Sequence, residues 1–279
     1  MKHLEEKIFK ALMVFASVTI LAVLLYILYV VISKGLPSLN WDMVSKIPSG
    51  GFYLGKEGGI LNAIMGSIFL IAGSVLISMT ISLPVALYIN FVKRKDSTFS
   101  NILRFAFDIL FGIPSIVYGA FGFMVMIYFG LQASLLGGII AVSLLIIPIM
   151  VRSIDEVAVS VPKDLTEAVK SLGATQYETL KVIARQISPG ITTAILLSVG
   201  RGIGDAATVL FTAGYSDSIP TALGQPAATL PLAIFFQLSS PVEEVQNRAY
   251  AAALILTFII LILSFSTRYF GRKISKSKL

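Results

Sequence analysis

The chain has 279 residues, of which 56% are hydrophobic and only 13% are charged. Soluble domains carry about twice that charged share, so this chain has too little polar surface to cover itself in water. Its net charge of +7 is spread between long apolar runs, which excludes a basic nucleic-acid-binding patch and indicates a membrane protein. Cysteine is absent and the single histidine, His3, lies in the N-terminal tail, which excludes disulfides, thiolate chemistry and a histidine-based metal site.

The first four of six predicted membrane spans lie in three apolar stretches, because roughly 20 apolar residues cross a ~30 Å hydrocarbon layer. Ala11–Ile32 is too long for a signal-peptide core, so it is predicted to be a retained first helix. Gly59–Val92 holds the second span. No charge occurs in Ile109–Val151, which would make about 65 Å of straight helix. This stretch therefore predicts a third and a fourth span, joined by a tight turn at Gly130–Ser134.

The last two spans are predicted at about Ser188–Phe211 and Ala249–Thr267. With six spans, 17 Lys and Arg residues fall on the side of both termini and four on the opposite side. Positive residues mark the cytoplasmic side, so both termini are predicted to be cytoplasmic in a multi-pass protein of the cell membrane. Residues 1–279 are predicted to form one all-α transmembrane domain, with its core at about 60–270 and the first helix peripheral to it.

The longest cytoplasmic connection, at about 152–187, is predicted to contain two short helices. Pro162 suits a helix start and Gly173 a helix end, and a second helix can run from Thr175 to about Gln186. Apolar residues of the first helix form one stripe: Leu165, Ala168, Val169 and Leu172. Such a pair either lies on the membrane surface, the commoner outcome on pattern alone, or is presented to a cytosolic partner.

Two charged residues, Arg201 and Asp205, lie in a glycine-rich part of the fifth span, about 20 Å from its start at Ser188. An arginine at this depth costs about 2.5–3.5 kcal/mol in lipid, so it should face protein, water or an anion. Asp205 is on the same helix face. Two interpretations are open: an internal ion pair, or a site where the guanidinium binds two oxygens of a tetrahedral oxyanion. In the second, Asp205 holds Arg201 or accepts a hydrogen bond from a protonated oxygen.

Other functions fit single features of the sequence. Gly202–Asp205 matches the Gly-x-Gly-Asp pattern of intramembrane aspartyl proteases, which need a second membrane aspartate, and Asp108 is the candidate. Arg201 opposes that chemistry because it favours the ionised carboxylate. A stand-alone anion channel or secondary carrier would need no helix for a cytosolic partner. The chain has no Gly-x4-Gly-Lys-Ser/Thr phosphate loop, so it is not predicted to be an ATPase or another enzyme.

Three segments carry a family resemblance. Glu167-Ala168-Val169, followed by Gly173-Ala174 and Ile183, resembles the EAA loop of ATP-binding-cassette (ABC) importer permeases. Gly112–Gly119 is similar to the third-span signature of the phosphate-specific transport (Pst) permeases. Arg201–Ala213 is similar to the Arg-x-x-Gly-Glu segment of the same family, with Asp205 at the position of the glutamate.

The resemblance implies a PstA-type subunit with the type I importer (MetI-like) fold of five core helices. It implies phosphate passage through a pore shared with a PstC-type permease, driven by two ATPases that carry the ATP and magnesium, and fed by a phosphate-binding protein. No cofactor is then expected on this chain. The resemblance places four residues in the substrate pathway: Ser115, Tyr118, Arg201 and Asp205. It places four in ATPase coupling: Glu167, Ala168, Gly173 and Ala174. Sulfate, molybdate or a phosphonate is the alternative substrate, Ser115 and Tyr118 could instead bond neighbouring helices, and Pro114 could simply kink its helix.

Overall fold

The computed structural model describes residues 2–49, 57–92 and 97–276, and most of these are helical. Two short strands, Pro48–Ser49 and Glu57–Gly58, pair antiparallel. In chain order the elements are α1 (Lys2–Gly35), a 3₁₀ turn (Leu36–Ser38), α2 (Trp41–Ser45), β1 (Pro48–Ser49), β2 (Glu57–Gly58), α3 (Leu61–Leu87), a π-helical turn (Tyr88–Val92), α4 (Thr98–Gly112), α5 (Ser115–Tyr128), α6 (Leu135–Val159), α7 (Lys163–Ser171), α8 (Gln176–Gln186), α9 (Ser188–Ile203), α10 (Leu230–Leu238) and α11 (Glu243–Lys276). Lys93, Arg94 and Lys95 are among the 17 positive residues counted on the cytoplasmic side, and they lie outside the described residues.

Membrane-crossing helices account for most of the described chain. Four stretches are long and apolar enough to cross a bilayer: 5–38, 61–92, 135–159 and 243–266. Two further candidates are bent pairs, α4 with α5 at 98° and α8 with α9 at 67°. With each bent pair counted as one crossing, the described residues contain the six crossings that the sequence predicts.

The third span is sharply bent, which confirms the kink that Pro114 suggested in the sequence. Helix α4 ends at Gly112, and α5 starts at Ser115 after a break. Pro114 causes the break: it has no N–H to donate and disfavours helical backbone in the residue before it. Ile113 is accordingly extended, with φ −70° and ψ 131°. The axes of α4 and α5 differ by 98°, so the break between them, called the elbow here, turns α4 away from the direction of α5.

The fifth span also ends earlier than predicted. Its helix, α9, stops at Ile203 rather than continuing to Phe211. Glycine is the poorest helix former apart from proline, and Gly200, Gly202 and Gly204 weaken this last turn. Asp205 then starts a new turn instead of prolonging the helix.

Residues 204–229 and α10 form a connecting segment that the sequence did not predict. It re-enters the bundle: the N–H of Leu230 donates to Ser67 Oγ at 2.8 Å, one to two turns inside α3. Gly66 is required at this contact, because a Cβ there would clash with the carbonyl oxygen of Ala228. From that depth α10 runs back along α11, so the segment closes one end of the bundle.

The centre of the fold is a close pair of parallel helices, α3 and α6. Three serines of α3 donate to carbonyl oxygens of α6 at a constant sequence separation of 65: Ser74 to Ile139 at 3.1 Å, Ser78 to Ser143 at 3.3 Å and Ser82 to Ile147 at 3.3 Å. Small polar residues let two backbones approach closely inside a membrane, where lipid gives no hydrophobic drive for helix association. The hydrogen bonds therefore fix the register of the pair.

The first helix is peripheral, as the sequence predicts. No residue in the apolar window of α1 is buried, and the helix packs against α11. Gly35 allows the contact, because a Cβ there would lie 2.7 Å from the carbonyl oxygen of Tyr250. Lys34 Nζ sits 5.1 Å from the centre of the Tyr250 ring. The remaining spans thus form a core of five crossings beside α1.

Candidate functional site

Arg201 and Asp205 occupy the end of α9, where the helix gives way to the connecting segment. The carboxylate of Asp205 is buried and the side chain of Arg201 is 52% exposed. Arg201 Nη2 lies 3.9 Å from Asp205 Oδ1, beyond the range of a hydrogen bond. Asp205 Oδ2 instead accepts from the backbone N–H of Thr208 at 2.8 Å. The aspartate therefore caps the next turn, and the guanidinium stays available to a ligand.

The surface around Arg201 carries no side chains at the two neighbouring glycines, Gly200 and Gly204, and little of the described chain packs against it. A Cβ at Gly200 would meet nothing within 4 Å, and one at Gly204 would meet only the Gly200 carbonyl oxygen at 3.8 Å. Arg201 lies about 20 Å along α9 from Ser188, near the end of the helix and deep in the predicted fifth span. Because lipid is costly for an arginine at such depth, this face must be covered by water or by another protein.

The two segments that carry the Pst resemblance lie side by side, although 93 residues separate the contacting pair. Thr208 Oγ1 donates to the carbonyl oxygen of Ser115 at 3.1 Å. Gly119 completes the contact, because a Cβ there would lie 2.7 Å from the carbonyl oxygen of Ala207. The start of α5 is thereby fixed against the turn that Asp205 caps.

Ser115 and Tyr118 have different positions in this contact. Ser115 is partly buried and contributes its backbone carbonyl to Thr208. Tyr118 is buried, and its hydroxyl donates to the carbonyl oxygen of Leu110 at 2.7 Å, across the break between α4 and α5. The tyrosine therefore supports the elbow. A role for either residue in the substrate pathway stays a prediction.

Thr208 and Thr229 were not among the predicted site residues. The spacing Asp205-x-x-Thr208 is typical of an N-capping aspartate and could have indicated the capped turn. Thr229 shares a small cavity behind Asp205 with Ser67. Its hydroxyl is buried and has no hydrogen-bond partner among the described residues. No local pattern signals that position, since it depends on the return of the connecting segment into the bundle.

The predicted two-helix loop is confirmed. Pro162 precedes α7, and Gly173 ends it with a left-handed backbone, φ +81°. No residue of α7 is buried, and Leu172 is 89% exposed. Glu167 and Ala168 lie on this exposed helix and Ala174 follows it. Within the described chain, the apolar stripe of α7 is only partly covered: Leu165 and Val169 are partly buried, whereas Ala168 and Leu172 are exposed.

The second helix of the loop, α8, anchors the loop to the bundle. Ile183 is fully buried, and Gln176 Nε2 donates to the carbonyl oxygen of Phe91 at 3.0 Å. The helix begins with a capping box: Glu178 N–H donates to Thr175 Oγ1, while the backbone N–H and hydroxyl of Thr175 donate to the Glu178 carboxylate at 2.8 Å. These bonds, the backbone one first, lower the pKa of the Glu178 carboxyl. The start of α8 is therefore well defined, directly after the exposed α7.

Replacing Thr175 with alanine is expected to loosen the first turn of α8, because the helix loses its N-cap acceptor. Amide hydrogen exchange at residues 176–179 should become about fivefold faster, reflecting local fraying. Thr175→Ser keeps the hydroxyl and serves as the matched control. Equal exchange rates in the alanine and serine variants would contradict a stabilising role for the capping box.

An aspartyl protease would need Asp108 and Asp205 to share a proton, and the structure separates them. Asp108 lies beside Arg152 of α6, with its Oδ1 at 3.4 Å from Arg152 Nε. Gly202, close to Asp205, packs instead near Val142 of α6. From Val142 to Arg152 is about 15 Å along the helix. A half-exposed arginine inside the membrane and an exposed amphipathic helix are instead typical of a membrane transport component.

Comparison with known proteins agrees with that class. Residues 82–276 match the family described as binding-protein-dependent transport system inner membrane component. The chain is 35% identical over 248 residues to phosphate transport system permease protein PstA of Haemophilus influenzae, covering 88% of this chain and 86% of that protein. It is 34% identical over 255 residues to PstA of Pasteurella multocida, covering 91% and 89%. The chain belongs to this family of inner membrane components, in its PstA branch.

The fold also matches a solved structure. A chain of the MetNI methionine ABC transporter in inward-facing conformation superimposes with a TM-score of 0.59, covering 77% of this chain and 97% of that chain. Sequence identity over the match is 18%, so the likeness concerns the fold alone. It confirms the predicted type I importer architecture.

Proposed function

We propose that this chain is the transmembrane permease subunit of an ATP-driven importer of inorganic phosphate. The observation that carries the proposal is the half-exposed guanidinium of Arg201 inside the membrane, which lies 3.9 Å from the Asp205 carboxylate, within range of an ion pair but not of a hydrogen bond. The names of the PstA relatives support phosphate as the substrate.

Arg201 and Asp205 suit phosphate for complementary reasons. A guanidinium presents a planar fork of donors that can bind two oxygens of a tetrahedral anion at once. Phosphate also carries at least one proton at neutral pH, and Asp205 Oδ1, which faces Arg201, can accept a hydrogen bond from that protonated oxygen. Sulfate has no proton to donate and would meet only repulsion from the carboxylate. The pair therefore favours phosphate over sulfate.

The bare face around Arg201 suits a shared pathway. Lipid cannot cover an arginine at low cost, so a second permease of the PstC type, enclosing water, is the proposed neighbour. Ser115 lies next to the same turn through its bond from Thr208 and is proposed to border the pathway. A phosphate-binding protein on the opposite side of the membrane would deliver the substrate.

The exposed α7 suits the docking of an ATPase. This helix has no fully buried residue, carries Glu167 and Ala168 and ends at Gly173-Ala174, and it is proposed to enter a groove on one of two ATPase subunits. ATP and magnesium would be bound by those subunits, since this chain contains no phosphate loop. The excess of positive residues supports a cytoplasmic position for this end of the bundle and for both termini.

The proposal is tested by uptake of labelled phosphate into vesicles that contain this chain with its permease, ATPase and binding-protein partners. Uptake should require ATP, and excess unlabelled phosphate should compete while excess sulfate should not. The second candidate, a permease for another oxyanion, would be favoured if sulfate or molybdate competed fully. Transport of those anions without phosphate uptake would overturn the assignment.

A further inference from the structure

A buried polar cluster lies far from Arg201 and has no part in the function described so far. It consists of Asn90 in the π-helical turn, Arg104 of α4 and Asp155 of α6. Asn90 Nδ2 donates to Asp155 Oδ1 at 2.6 Å, and Arg104 Nε donates to Asp155 Oδ2 at 3.0 Å. Arg104 Nη2 donates to Asn90 Oδ1 at 3.1 Å. The three side chains thus close a ring of hydrogen bonds that joins three elements.

The cluster is costly to bury and therefore fixes geometry more than it adds stability. Asp155 is only 4% exposed and Asn90 only 7%. A buried ion pair gains little over apolar packing, but its donors and acceptors fit in one arrangement only. Here that arrangement holds α4, which is bent by 98° from α5, against the parallel pair α3 and α6.

One side of the cluster contacts the two-helix loop formed by α7 and α8, called the docking loop from here on. Gln176, the first residue of α8, donates to the carbonyl oxygen of Phe91, which directly follows Asn90 in the π-helical turn. Ile183 of α8 is buried in the same region, against the cluster of apolar residues that includes Met150 and Ile154 of α6. A displacement of the loop is therefore passed to the end of α3 and to α6.

The other side leads to the Arg201 site. Helix α4 ends at the elbow, where the Tyr118 hydroxyl holds the Leu110 carbonyl. The next helix begins at Ser115, whose carbonyl accepts from Thr208. Thr208 in turn donates its N–H to Asp205. Hydrogen bonds therefore link α4 to α5, α5 to the turn at Thr208, and that turn to Asp205, so α4 connects the region of α8 with the Arg201 site.

We propose that Asn90, Arg104 and Asp155 form a positioning site that makes α4 move with α3 and α6. Through it, movement of the docking loop reaches the turn that holds Asp205 and Arg201. This inference rests on the proposed function and deepens it, by naming the residues that connect ATP hydrolysis to substrate movement. A contiguous path of contacts is only a physical possibility until coupling is measured, so the experiment measures coupling.

The decisive variant removes both charges at once. Arg104→Met alone leaves the buried Asp155 carboxylate with only its bond from Asn90 and the more distant Arg152, 3.9 Å away, so the complex is expected to assemble poorly. Arg104→Met with Asp155→Asn removes the buried charge and should restore assembly. In the complete transporter, the double variant should hydrolyse ATP near the normal rate while phosphate uptake per ATP falls by about tenfold, the size of a typical coupling term. A cluster that only stabilises the fold predicts normal uptake in the double variant, and that result would overturn the proposal.

Asp108→Asn is the matched control, because Asp108 lies on the same helix but at the exposed edge of the cluster, where half-exposed Arg152 lies 3.4 Å from Asp108 and 3.9 Å from Asp155. Exposed pairs contribute little, so this variant should keep normal uptake per ATP. A comparable loss in Asp108→Asn would show that any charge change on α4 uncouples the transporter, and would also count against the proposal.

A second measurement needs no substrate. The chain has no cysteine, so spin labels can be attached to cysteines placed at Phe105 of α4 and Tyr177 of α8, both well exposed. When Arg104 and Asp155 are unchanged, the distribution of distances between the labels should have one narrow peak with and without ATP-vanadate. The reason is that the cluster makes α4 and α8 move as one rigid body. In the double variant the distribution should broaden or shift on trapping. A narrow distance in both proteins, or a shift in both, would refute the positioning site even if phosphate proved to be the wrong substrate.

Discussion

Replacing Arg201 with alanine is expected to abolish phosphate uptake while leaving the complex assembled. The guanidinium would supply two charge-assisted hydrogen bonds to the anion, each worth roughly 1.5–3 kcal/mol. Their loss should reduce uptake by about 100-fold or more. Assembly should persist, because Asp205 keeps its hydrogen bond from Thr208 without help from the arginine. Uptake of labelled phosphate and co-purification of the partner subunits measure the two effects separately.

Two further variants sharpen this expectation. Arg201→Lys keeps the charge but loses the planar fork, so it should recover little uptake. Leu197→Ala changes an exposed side chain one turn earlier on the same face of α9, and it should transport nearly as well as the unchanged chain. Normal phosphate uptake by the alanine variant of Arg201 would remove the anion site from this account.

Replacing Gly173 with valine is expected to release the ATPase from the complex. Gly173 has φ +81°, a backbone conformation that a β-branched residue adopts only with strain. A valine would therefore change the direction in which the chain leaves α7 and would misplace the whole exposed helix. Retention of the ATPase during purification should fall by about tenfold or more, since a strain of 1–2 kcal/mol acts together with the lost fit.

The chain offers matched controls for this change. Gly173→Asn tolerates the left-handed conformation and should retain most of the ATPase. Gly130 has φ +67° in the turn between α5 and α6, with nothing within 4 Å of an added Cβ. Gly130→Val thus introduces similar strain at the other end of the bundle and should leave the ATPase bound. Loss of the ATPase in both valine variants would point to general misfolding rather than to docking.

The parts of the fold that the sequence predicted depend on properties that run along the chain. The length of apolar runs predicted the crossings, and Pro162 and Gly173 predicted the bounds of α7. Pro114 indicated the possible kink in the third span but not its size, and the predicted end of α9 was wrong, because both depend on local backbone chemistry inside an apolar run. The connecting segment with α10 was missed, since its course is set by distant contacts such as that between Leu230 and Ser67.

The sequence predicted which residues belong to the candidate site, but not how their side chains are arranged. Arg201 and Asp205 stand out as charges in an apolar span, and helix periodicity puts them on one face. The sequence could not show that Asp205 would bind Thr208, or that Ser115 would meet the same turn. It treated Arg104 only as a cytoplasmic positive charge, whereas the structure pairs it with buried Asp155. Such pairings join residues distant in the chain and leave no periodic trace.

The serine hydrogen bonds between α3 and α6 limit which motions a transport cycle can use. Ser74, Ser78 and Ser82 donate hydrogen bonds to successive turns of α6. The two helices therefore cannot slide past each other without breaking all three bonds together. The next position that would satisfy them is a whole turn away, about 5.4 Å. Opening and closing must therefore pivot around this pair as a fixed spine, with the flexing left to the ends of α5 and α9.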